Sequence, residues 1–146
     1  MKIAVACDHG ALDLKNKVKA HLEEAGHEVE DFGTHTLASC DYPDYAAPAA
    51  RAVAEGKCDK GIVMCTTGIG VSVVANKIDG VRCALLHDLL PAKLTREHTA
   101  TNVKALGAGV VGEMLALQPV DPWLGTEFSH NERHQRRIDK VMDLEG

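Results

Sequence analysis

Short apolar runs alternate with amphipathic stretches from one end of the chain to the other, and each run has the length of a strand. Lys2 to Cys7 is the first. A helical stretch from about Ala11 to Ala25 follows, with Leu12, Val18 and Leu22 on its apolar side and Gly26 as the stop. Glu28 to Phe32 reads as a second, more polar strand, placed toward a sheet edge. Thr34 to Asp44 reads as a loop, and Tyr45 to Glu55 as an Ala-rich helix in which Pro48 predicts a late start or a kink. Gly61 to Cys65 is the third strand, Gly70 to Lys77 a helix, Val81 to Leu86 the fourth strand and Asp88 to Glu97 a helix. Val103 to Leu106 is a short fifth strand, Gly112 to Leu117 opens another helix, and Asn131 to Leu144 is a charged final helix. Strands alternating with helices predict an α/β fold: a parallel sheet with helices on both faces. No repeat or linker divides the chain, so residues 1–146 are expected to form a single domain.

Composition narrows the classes of function. With 146 residues and 45% apolar content the chain can build a core, but aromatics are only 3%, so Val, Ile, Leu and Ala must fill it. The net charge of −5, with no basic tract or stacking aromatics, argues against nucleic acid. No apolar run is long enough to cross a bilayer, and a strand at the very N-terminus leaves no room for a signal peptide. Five scattered cysteines read as reduced thiols of the cytoplasm.

The chemistry concentrates in Met64-Cys65-Thr66-Thr67-Gly68-Ile69-Gly70. A buried strand ends in a thiol, breaks into a Gly-rich turn and opens a helix. Free N–H groups at such a turn suit a phosphate or an oxyanion formed during reaction. A thiol there feels the helix N-terminus, which favours thiolate. Cys7, Cys40, Cys58 and Cys83 lack that setting and read as inert. Rival chemistries fail on spacing. A Cys-based phosphatase loop needs Arg where Val71 stands, and a P-loop needs Gly-Lys-Ser/Thr after its glycines. The turn after the first strand, Asp8-His9-Gly10-Ala11, is not a dinucleotide fingerprint. No metal-ligand spacing stands out; His130 and His134 read as a surface pair.

Other polar residues carry two readings each. Asp8 and His9 can be a turn with a helix cap, or can hold substrate hydroxyls and an anionic group. His87-Asp88 falls at the same strand ends as Asp8 and Cys65. His98 by itself reads as an ordinary helix-end histidine. Arg133, Arg136 and Arg137 can be a solvated face, although Arg133 and Arg137 share one side of a helix and could grip one phosphate.

Taken together, these residues resemble the type B ribose-5-phosphate isomerases and the related galactose-6-phosphate isomerase subunits. The resemblance rests on Ala6-Cys7-Asp8-His9-Gly10, Asp41-Tyr42-Pro43, Cys65 to Gly70 with Ala75-Asn76-Lys77, and Gly80-Val81-Arg82. It continues through His98 with Asn102-Val103, Trp123-Leu124-Gly125, and Arg133-His134 with Arg137. It implies a Rossmann-like three-layer α/β/α sandwich with a five-stranded parallel sheet. It implies aldose–ketose isomerisation of a sugar phosphate through a cis-enediolate, with no metal or other cofactor. By position Cys65 is the base; where some members use a Glu, this chain has Val73-Val74-Ala75. Thr67 assists proton movement, and the amides of Thr66, Thr67, Gly68, Ile69 and Gly70 receive the oxyanion. His98 opens the sugar ring with Asp8 nearby, Thr99 lies beside the sugar, and His9, Arg133 and Arg137 hold the phosphate. A homodimer or higher homo-oligomer with shared sites is implied, the final helix packing on the partner.

The chain also departs from that pattern. Thr66 replaces a usual Gly, Thr99-Ala100 a common Asn-Asp, and Gly109 a frequent Arg; Ser129 to Glu132 replaces glycines. Those changes bear on which sugar is used and leave open another sugar, unphosphorylated or of six carbons; the fold alone also allows a non-catalytic sugar-phosphate-binding subunit, which the intact Cys65, Thr67 and His98 argue against. Arg at position 109 is expected to improve use of ribose 5-phosphate.

Overall fold

The computed structural model describes residues 1–146. Five strands, β1 (Lys2–Cys7), β2 (Glu28–Asp31), β3 (Lys60–Cys65), β4 (Cys83–Leu85) and β5 (Val103–Gly107), form one parallel sheet in the order β2-β1-β3-β5-β4. The helices are α1 (Leu12–Glu24), α2 (Pro43–Ala54), α3 (Ile69–Asn76), α4 (Leu89–Leu94), α5 (Glu113–Leu117), α6 (Val120–Gly125) and α7 (Glu132–Met142).

Side chains on the central strands alternate between two cores, as a pleated ribbon requires. Ile3, Val5, Ile62, Met64 and Leu106 face one way, onto Leu14, Val18 and Leu22 of α1 and onto Ala92, Ala116 and Trp123. Ala4, Ala6, Val63, Cys65, Val103 and Ala105 face the other way, onto Ala46, Ala49, Ala50 and Val53 of α2 and Val71 and Ala75 of α3. Alanine on both sides of that second layer lets α2 lie close to the sheet. With so few aromatics, Trp123 is the largest fully buried side chain, its indole N–H donating to Thr101 Oγ1 at 3.2 Å. The polar strand β2 is indeed at an edge.

Several boundaries differ from the sequence reading. Helix α2 starts at Pro43, with proline in its first turn, and runs through Pro48. Pro48 gives up one backbone bond near an exposed helix start, a cost the buried alanines of α2 absorb. Strand β4 is only three residues long because the Val81 N–H goes back to Ile78 O and the Arg82 N–H to the Asn102 side chain, Oδ1, outside the strand ladder. Helix α4 ends at Leu94 and widens into a π-type turn over Thr95–Thr99. Helix α6 is absent from the sequence reading; Pro119 before it and Pro122 within it obscure a short helix that Val120, Trp123 and Leu124 bury.

Candidate active site

The chain leaves β1 on one side of the sheet and reaches β3 on the other. The carboxyl ends of these neighbouring strands therefore open a crevice, the usual ligand position in such folds. Asp8-His9-Gly10 forms one lip and Cys65 to Gly70 the other, tied by Asp8 N–H to Met64 O at 3.2 Å. Asp8 is buried, and its Oδ1 accepts the Gly10 N–H at 2.9 Å, so it does serve as a turn cap.

The Cys65 sulfur lies under the turn, where the Gly68 N–H donates to it at 3.1 Å. Gly68 adopts φ 77°, and a Cβ there would come within 2.5 Å of Leu85 Cδ1 and 2.8 Å of the Leu106 carbonyl carbon. Only glycine permits this turn. Thr67 Oγ1 accepts the Ile69 N–H at 3.2 Å. Two of the five amides expected to meet an oxyanion are thus engaged with Cys65 and Thr67, whereas those of Thr66, Thr67 and Gly70 have no partner within the chain. The ring of Tyr42 lies over Gly70, where a Cβ would be 2.8 Å from its Cζ. Burial pushes Cys7 and Cys58 up to about 11 and Cys83 up to about 12, which keeps them protonated.

Cys40 is half-buried and touches His9. Its loop folds over His9, and its backbone N–H donates to His9 Nδ1 at 3.2 Å, with the thiol 3.7 Å from the same nitrogen. No local pattern signals a contact between residues so distant in sequence.

The remaining predicted residues gather elsewhere. Cys65 pairs with Gly107 where β3 and β5 end, but His98 and Thr99 precede the start of β5, where Gly61 pairs with Val103. Four residues of strand, roughly 13 Å, separate those ends. At the far end His98 stacks on His134 with ring centroids 4.3 Å apart, and Arg137 lines the same hollow with Thr99 and Ile138. His134 is therefore no surface residue: it is buried, with Nδ1 2.6 Å from Ser129 Oγ, while His130 alone is exposed, at φ 56°. Burial, then His98, Arg133 and Arg137, push the His134 pKa down. The basic groups thus converge. The structure brings Asp8, His9 and Cys65–Gly70 together, brings His98, Thr99, Arg133 and Arg137 together, and holds the two groups at opposite ends of one sheet.

Between these regions, the exposed face of α3 carries Ile69 and Val73, one turn apart; exposed Leu85 lies against Gly68 at the start of that helix, and Leu89 is exposed at the start of α4. No group of three or more His, Cys, Asp or Glu side chains is arranged to hold a metal ion, and no helix is long and apolar enough to cross a membrane.

The position of Thr66 corrects the expectation for residue 109. Its side chain is wedged between Gly10 and Gly109, so a Cβ at 109 would lie 2.9 Å from Thr66 Cγ2 and 3.1 Å from Thr66 O. Arginine at 109 alone collides with the turn before it can reach a ligand.

Residues 3–141 match the family model described as Ribose/Galactose Isomerase. The chain is 45% identical to ribose-5-phosphate isomerase B of Escherichia coli, covering 99% of this chain and 96% of that protein. It is 37% identical to D-erythrulose-4-phosphate isomerase of Pectobacterium atrosepticum, covering 92% and 99% respectively. The solved structure of Clostridium thermocellum ribose-5-phosphate isomerase B superposes with a TM-score of 0.97 at 46% identity, covering 99% of this chain and 97% of that one.

Proposed function

The chain belongs to the ribose/galactose isomerase family and is a sugar-phosphate isomerase, and we propose that Cys65 is its proton-transfer base. The observation that carries this reading is the Cys65 sulfur under the Gly68 N–H, beside three unpartnered amides at the mouth of the crevice. For an open-chain aldose, the Cys65 thiolate removes the C2 proton. The electron pair moves onto the carbonyl oxygen, giving an enediolate, and the amides of Thr66, Thr67 and Gly70 stabilise that charge. Thr67 passes a proton between the two oxygens, and Cys65 returns its proton to C1, leaving the ketose. Gly68 and Ile69 hold the sulfur and the Thr67 hydroxyl in place. Asp8 and His9 line the opposite lip.

His98 for ring opening, Thr99, and Arg133 and Arg137 for the phosphate come from a second copy of the chain. Two-fold pairing brings the basic end of one sheet to the Cys65 end of the other and completes two equivalent sites. Ile69, Val73, Leu85 and Leu89 supply an apolar surface for that contact, and α7 carries its arginines to the partner. Five free thiols support a reducing compartment, the cytoplasm, as the location of the enzyme.

Ribose 5-phosphate and ribulose 5-phosphate are the first substrate pair to test. Thr66 against Gly109 favours a second reading, a sugar phosphate of different length. A panel of tetrose, pentose and hexose phosphates with their free sugars, scored for solvent deuterium entering C1 or C2, separates the two. Exchange should vanish in folded Cys65→Ala; normal turnover by that variant rejects Cys65 as the base.

A further inference from the structure

The ladder between β4 and β5 ends with Leu86 N–H donating to Ala105 O at 3.1 Å. Its next rung would place the Gly107 N–H on a β4 carbonyl, but β4 has already finished at Leu85. The Nε2 atom of His87 takes that position, accepting the Gly107 N–H at 3.0 Å. A ring nitrogen thus replaces the missing strand. To accept, Nε2 must be unprotonated, and the neutral ring carries its proton on Nδ1.

Gly107 in turn supports the catalytic turn through bare backbone. A Cβ on Gly107 would lie 2.6 Å from both the carbonyl carbon and oxygen of Thr67. Gly68 rests on Leu106 with the same intimacy, and Ala108 and Gly109 donate to Cys65 O and Thr66 O at 2.9 and 2.8 Å. The end of β5 is the bed on which residues 65–68 lie, with no side chain between them to absorb a displacement.

We propose that His87 is a positioning residue for the isomerisation: its neutral ring pins Gly107, and Gly107 sets the Thr67–Gly68 peptide whose N–H holds the Cys65 sulfur. The proposal rests on the reading of Cys65 as the base. Two charged groups bear on the ring, Lys104 from β5 and the adjacent Asp88. Burial first and Lys104 second lower the pKa of His87, with Asp88 opposing, so the ring stays neutral around neutrality. Protonation in acid removes the acceptor and releases Gly107.

The test compares H87L, which cannot accept, with H87Q, whose carbonyl oxygen can. Amide hydrogen exchange at Gly107 and Gly68 reports positioning without turnover. H87L should exchange faster at both amides and lose about ten- to a hundredfold in kcat with KM little changed. H87Q should keep the protection and most of kcat, and lose the acid limb that His87 gives the wild-type profile. Wild-type Gly68 protection or wild-type kcat in folded H87L overturns the proposal, as does equal loss in both variants. If H87L does not fold, nitrogen NMR of the wild-type ring decides, since a proton on Nε2 of His87 overturns it. Turnover by Cys65→Ala tests the base separately, so positioning and chemistry fail independently.

Discussion

Thr66 and Gly109 occupy one volume: the threonine methyl stands 2.9 Å from where a Cβ on residue 109 would be, and Gly109 N–H donates to Thr66 O at 2.8 Å. The two departures from the family pattern are thus one packing solution. Gly109→Arg alone should destabilise the protein by about 1–3 kcal/mol, as overpacking does, and should not improve use of ribose 5-phosphate. Adding Thr66→Gly should recover most of that loss, giving a coupling of about 0.5–3 kcal/mol in a double-mutant cycle by urea unfolding. Additive effects would show that the residues do not compete.

Separation of His98 from Cys65 along the sheet predicts complementation. Cys65→Ala and His98→Ala should each be inactive alone. After subunit exchange, half of the dimers are mixed and each has one intact site, so about a quarter of wild-type activity should return. Sedimentation beside the assay checks that Val73→Glu, which puts a charge on the exposed face of α3, yields inactive monomer. Full activity in that monomer would reject the shared site.

Arg133 and Arg137 project from one exposed side of α7 beside the stacked His98 and His134. Removing one charge-assisted contact costs about 1.5–3 kcal/mol, or about ten- to a hundredfold in binding. Arg137→Ala should therefore raise KM by that factor for a sugar phosphate and leave any activity on the free sugar unchanged. Steady-state kinetics with both substrates decides it, and equal effects would remove the phosphate from this site.

Lys104 is fully buried on β5 with no partner for its amine, and burial lowers its pKa from 10.5 to about 7. The folded pKa lies below the unfolded value. Between about pH 7 and 10.5 the unfolded chain therefore binds more protons, and this residue's contribution to stability rises with pH. The penalty is complete below about 7. Lys104→Met should be more stable than wild type by a few kcal/mol at or below neutrality, the gap narrowing toward pH 10. Unfolding curves across that range measure it, and a gap independent of pH would place the charge elsewhere.

The alternation of strand and helix was legible because the buried strands are continuous apolar runs and the turns carry glycine. Cys65 was legible for a similar reason: strand, thiol, turn and helix are consecutive in the chain. His134 was not, since a histidine on a charged helix looks solvated until His98 arrives from another element to cover it. Nor was the contact of Cys40 with His9, made by a loop with no periodicity of its own. Helix α6 eluded pattern reading because tertiary burial of Trp123, not propensity, holds it. The conflict at residue 109 needed the backbone, because a missing side chain shows nothing in sequence of what fills its space.

The span of β3 between Gly61 and Cys65 acts as a fixed ruler, and under the proposed shared site it makes catalysis a matter of concentration. On the proposed shared site, the strand leaves His98 no route to the Cys65 of its own chain, so a solitary copy should have no competent site. At high dilution the rate should grow with the square of total chain, and the crossover to linear dependence should fall at the dissociation constant of the pair. Turnover then serves as an assay of assembly.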